Sequence, residues 1–185
     1  MIIRTAIAAA AVALIAACGS MTPMTPVMPA YSQASLPATV QVPSGNRVAL
    51  ETVGVGEITY QCSVKKDMAG QFEWVFVGPD ARLLDRSGKQ IGKYYGPPAT
   101  WEAMDGSKLT AVQLAVAPNM AGSIPLQLVK GNPAMGSGAM QGVTYIQRVS
   151  TQGGVAPATP CAAANVGARQ IVKYQADYIF YKAGM

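Results

Sequence analysis

The chain has 185 residues, half of them apolar and 12% charged, which is enough to build one core and excludes global disorder. Fourteen Lys and Arg against nine Asp and Glu leave a net charge of +5, but Lys65, Arg82, Lys108, Arg148 and Arg169 are scattered and form no stripe that would track phosphates. Nucleic acid is therefore not an expected partner. The absence of histidine removes Ser-His-Asp and Cys-His catalysis and the usual zinc sites, because each needs imidazole as base or ligand. No metal and no cofactor is expected.

The amino end, "MIIRTAIAAAAVALIAACGS", places Arg4 and Thr5 before an apolar run from Ala6 to Ala17, and stops at Cys18. The run is too short to span a bilayer and has the layout of a secretory signal over residues 1–17. Ile15, Ala16 and Ala17 ahead of Cys18 resemble the lipobox of bacterial lipoproteins, which implies lipidation (diacylglyceryl, palmitate) of the Cys18 thiol. The alternative is an ordinary signal peptide cut nearby. More than one acyl chain on a cysteine gives stable membrane attachment. Gly19 follows the cysteine instead of an inner-membrane retention aspartate, so the expected address is the outer membrane, facing the periplasm.

Residues 18–46 read as the lipidated cysteine and a tether. From 19 to 46 there is no charge and no apolar periodicity, and five prolines favour extended chain. Met21, Met24 and Met28 are soft thioethers of the kind that bind Cu(I), but without His or Cys to complete a site they read as part of the repeat "MTPMTPVMP".

The folded domain is expected over 47–185 and reads as mostly β. In "EITYQCSV" Ile58, Tyr60, Cys62 and Val64 share a face, and "QFEWVFVGPDARLLD" sets Phe72, Trp74 and Phe76 together before a Gly78-Pro79 turn. Further strands are expected at 108–117, 124–129 and 142–150. The last, "QIVKYQADYIFYK", alternates Val172, Tyr174, Ala176, Tyr178 and Phe180 with Lys173, Gln175 and Asp177. Short strands at this spacing, with no capped amphipathic helix, predict an antiparallel β-sandwich or barrel. In an oxidising compartment Cys62 and Cys161 are the pair left to form a disulfide.

"GPPATWEAMDGSKL", residues 96–109, carries the carboxylates Glu102 and Asp105 beside Trp101. Paired carboxylates divide acid and base roles only when both flank one bond and one pKa is raised. Asp105-Gly106 is instead a strong hairpin signal, whose two-residue form puts both central residues at positive φ. That reading leaves Asp105 at an exposed tip and Trp101 on the face opposite Glu102. "STQGG" after Arg148 offers an anion nest, or simply lets the chain turn at Gly153-Gly154.

"GVGEITYQC", "GPDARLLDRSGKQIG", "TWEAMDGS", "TYIQRVSTQGGVAP", Cys161 and "YQADYIFY", taken in order, resemble the domain of unknown function 3455. The resemblance implies a secreted or envelope protein with no established activity. It also implies a histidine, in many members, where this chain has Tyr94 and Tyr95. The expected function is non-catalytic binding of an envelope glycan or protein, with Tyr94, Tyr95, Trp101, Glu102 and Arg148 as candidate ligand contacts. A glycan hydrolase using Glu102 and Asp105 and a structural envelope-stabilising lipoprotein are the alternatives.

Overall fold

The computed structural model describes residues 30–184; Cys18, Met21, Met24, Met28 and the signal segment lie outside the described residues. Eight strands follow one another: β1 (Asn46–Val64), β2 (Phe72–Leu84), β3 (Gln90–Tyr95), β4 (Thr100–Ala103), β5 (Lys108–Ala117), β6 (Leu126–Gly131), β7 (Val143–Gly153) and β8 (Arg169–Ala183). Each pairs antiparallel with the next, and β8 pairs back onto β1, so the sheet closes as a barrel. The expected β class holds, and of sandwich and barrel it is the barrel. The only helical turns among the described residues are short 3-10 segments at Ala38–Val40 and Ala163–Asn165.

Alternation along the strands fills the interior. Ile58, Tyr60, Leu83, Tyr94, Trp101, Leu109, Ile146, Tyr174, Tyr178 and Phe180 form one buried cluster inside the ring. An eight-stranded barrel is just wide enough for side chains to fill it or for one small ligand to enter. Charged residues such as Glu57, Arg82, Lys93 and Glu102 alternate with these inward residues. The outer surface is thus not the uninterrupted apolar band that a bilayer-spanning barrel presents to lipid.

A second cluster sits outside the ring. Val149 of β7, Ile179 and Tyr181 of β8, and Leu126 and Leu128 of β6 are covered by Val40 and Val42, with Tyr31 and Leu36 alongside. This corrects the expected boundary at 47: the chain from 31 to 42 is a strap packed on the barrel, not tether. Its apolar residues have no regular period because the strap is extended and irregular. What fixes it is Gln147, fully buried on β7, whose Nε2 donates to the Val40 carbonyl at 2.6 Å and to Gln33 Oε1 at 3.0 Å. Gln147 Oε1 accepts the hydroxyls of Tyr181 at 2.7 Å and Tyr31 at 3.2 Å.

Cys62 and Cys161 form the expected disulfide, with Cα atoms 5.4 Å apart, tying the end of β1 to the loop ahead of β8. Trp74 secures the same loop by donating its indole N–H to the Thr159 carbonyl at 2.7 Å.

Candidate functional site

The β4–β5 hairpin settles the role of Asp105. The Ala103 N–H donates to the Ser107 carbonyl at 2.9 Å and the Gly106 N–H to the Ala103 carbonyl at 3.0 Å, which leaves a three-residue loop. Gly106 has φ of 85° while Asp105 is not at positive φ. The loop is therefore a type I turn followed by a left-handed glycine, which corrects the two-residue form expected for Asp-Gly. Asp105 Oδ1 accepts from the Ser107 N–H at 2.9 Å and the Ser107 hydroxyl at 2.5 Å, and Oδ2 accepts from the Ala139 N–H at 2.7 Å. Ser107 Oγ in turn accepts from the Met140 N–H at 3.1 Å. A Cβ on Gly138 would overlap the Asp105 carboxylate, so glycine is required there. Asp105 is a clasp between two loops.

Glu102 stands on the outer face, accepting the Tyr95 hydroxyl at 2.7 Å and pairing with Lys93 at 3.3 Å. The Tyr95 hydrogen bond and the Lys93 charge hold its carboxyl below the ordinary range. The Ser107 hydroxyl and the Ala139 and Ser107 amides do the same for Asp105. A general acid needs a raised pKa, and here both members of the candidate pair are lowered.

The other candidate contacts do not form one surface. Tyr94 and Trp101 are buried inside the barrel, 5% and 2% exposed, with their rings stacked at 4.5 Å; alternation sends them to the face opposite Tyr95 and Glu102. Tyr178 completes this layer, 5.1 Å from Tyr94 and 6.0 Å from Trp101. Arg148 also faces inward, as the register partner of Tyr178. The anion nest is replaced by strand pairing: Gly153 pairs with Tyr174, and the Gly154 N–H donates to the Lys173 carbonyl at 3.0 Å.

The sequence reading missed an outer groove of about 630 Å³ across β2, β1, β8 and β7. Register builds it in two rows. Glu57 lies opposite both Asp80 and Lys173, and Val55 lies opposite both Arg82 and Gln175, with Gln152 beyond Gln175. Gly56 lets β1 approach β2 closely, since a Cβ there would overlap the Asp80 carbonyl oxygen and Ala81. Among the described residues none of Glu57, Asp80, Arg82 and Lys173 takes part in an ion pair. The signal was present in pieces: "GVGE", "PDAR", "STQGG" and "KYQ" each contribute a short stretch, but only the pairing register brings them together.

A family model, protein of unknown function (DUF3455), matches residues 43–182, which takes in the groove and all of the barrel but Ala183. No curated protein and no solved structure matches the chain.

Proposed function

We propose that this chain, which belongs to the family described as protein of unknown function (DUF3455), is an outer-membrane lipoprotein whose barrel binds a cell-envelope glycan without cleaving it. Anchorage is through acyl chains on Cys18, with the barrel on the periplasmic side. The groove is the observation that carries this reading. Every sugar hydroxyl both donates and accepts, and its recognition calls for acceptors, donors and amides held close together. Glu57 and Asp80 supply acceptors, Arg82 and Lys173 donors, and Gln152 and Gln175 both, around a trough of about 630 Å³. That volume is in the range of small-ligand sites, and a trough open along one side suits a polymer.

The test is retention of the purified protein on peptidoglycan sacculi and envelope polysaccharide. Retention is expected for the native chain and is expected to drop about tenfold or more in an Arg82→Ala, Lys173→Ala variant, since charge-assisted hydrogen bonds are the strong ones. Equal retention of both proteins, or none of the native chain, overturns the glycan reading. Release of soluble saccharide would instead support the hydrolase alternative. Mass spectrometry of the mature amino terminus checks the anchor: an acylated Cys18 is expected, and a free thiol there refutes it.

A further inference from the structure

We propose that the barrel has a second binding site, inside its mouth, where Arg148 holds a compact anion of the carboxylate or phosphate type. β7 alternates so that Ile146 and Arg148 face inward, and register sets Arg148 between Gln127 of β6 and Tyr178 of β8. Its Nε and Nη2 donate to the Pro125 carbonyl at 3.2 and 3.0 Å, which fixes the guanidinium fork and leaves Nη1 with no protein acceptor among the described residues. The ion pairs among those residues join Arg86 to Glu51 and Asp177, and Lys93 to Glu102. Nor is any carboxylate among the buried polar side chains, which are Thr52, Thr100, Ser107, Gln147 and Thr151. A half-buried guanidinium with neither full hydration nor a counter-charge favours an anion.

A second, independent feature lies in the same aromatic layer. The indole N–H of Trp101 is buried and has no acceptor, and its ring is 6.0 Å from that of Tyr178, the cross-strand neighbour of Arg148. Buried donors are rarely left unpaired, so this orphan in the layer that includes Tyr178 marks a place for an acceptor inside the barrel. The charge of Arg148 also acts on the hydroxyls of Tyr60, Tyr94, Tyr174 and Tyr178, opposing the rise that burial imposes on each.

Pairing of β4 with β5 stops at Thr100 and Thr110, so positions 111–117 of β5 border no strand on that side. Gln113 is exposed and Gln127 half-buried; the two are joined by an amide hydrogen bond of 2.5 Å, and Gln127 is the register partner of Arg148.

The experiment titrates inorganic phosphate and, separately, acetate into the full chain at constant ionic strength balanced with chloride, reading the melting temperature and tryptophan fluorescence. A saturable response to one or both is expected, and the two arms distinguish phosphate-type from carboxylate-type ligands. Apparent affinity is expected to fall about tenfold or more in Arg148→Gln, because the bidentate charge-assisted contact is lost. Arg148→Lys, which keeps the charge and guards against a variant that fails to fold, is expected to bind about threefold or more weakly, since an ammonium lacks the fork. Arg169→Gln, an exposed arginine at the start of β8 outside both sites, is expected to respond as the native chain does. No saturable response in the native chain, an unchanged response in both Arg148 variants, or a loss confined to Arg169→Gln overturns the proposal. The groove reading stands or falls separately, on glycan retention.

Discussion

Gln147 and Gln152 lie on the same strand and have opposite fates. Gln147 is fully buried and uses its amide completely, donating to Gln33 and Val40 and accepting from Tyr31 and Tyr181. Gln152 is exposed at the edge of the outer groove, and its side chain bonds to no other described residue. Asp105 and Asp80 repeat the contrast: three donors saturate Asp105, while Asp80 lies open in the groove. In this barrel a saturated polar group holds structure, and an unsaturated one is available to something outside the chain. The distinction is one of hydrogen-bond capacity, not residue type, and it can be broken by experiment.

The scale is set by the Cys62–Cys161 bridge, which spans 99 residues of sequence. Closing a loop of that length stabilises by up to about 4 to 5 kcal/mol in the chain-entropy model, so Cys62→Ala with Cys161→Ala is the largest loss expected, measured by urea denaturation. Gln147→Ala comes next. It leaves the Val40 carbonyl and the Tyr181 hydroxyl without their partner, and each buried group so orphaned costs about 1 to 3 kcal/mol, for a total of roughly 3 kcal/mol or more. Gln152→Ala is expected to change stability by less than about 0.5 kcal/mol, as surface substitutions usually do, while weakening glycan retention. Equal destabilisation by the two glutamine variants would break the contrast.

Within the interior layer, Trp101→Phe tests what the indole N–H contributes. The phenyl ring preserves most of the stack on Tyr94 and removes the orphaned donor, so the loss of packing volume and the relief of an unsatisfied group oppose each other. A net change within about 1.5 kcal/mol is expected, against about 3 to 5 kcal/mol lost in Trp101→Ala. Trp101→Phe as damaging as Trp101→Ala would mean that the N–H has a partner inside the barrel.

Much of the fold was legible in the sequence because strands are local. The alternation of Tyr174, Tyr178 and Phe180 marks β8, the span 108–117 coincides with β5, and the cysteine count gives the disulfide. Closure into a barrel was not legible, since it depends on β8 returning to β1 across the whole chain. The strap was missed for a related reason: Val40 and Val42 carry no period, and their polar anchor, Gln147, sits on a distant strand. The candidate site shows the same limit. Alternation correctly set Trp101 and Glu102 on opposite faces, but it took register to show Arg148 beside Tyr178, and Glu57 between Asp80 and Lys173.

Asp105→Asn bears most directly on why Asp105 is structural. Its carboxyl is held below the ordinary carboxylate range by the Ser107 hydroxyl and by the Ala139 and Ser107 amides. An acid whose folded pKa is depressed contributes stability above its unfolded pKa of about 3.9, and loses it as pH falls through the lower folded value. Asp105→Asn retains an oxygen for Ser107 but turns an amide N–H₂ toward the Ala139 N–H, where donor faces donor. The variant is therefore expected to melt below the native chain at pH 7, and the two melting curves are expected to converge as pH drops below the carboxylate range. Curves that stay parallel through that window would mean that shape, not charge, closes the clasp. The saturated carboxylate would then differ from those in the groove by geometry alone.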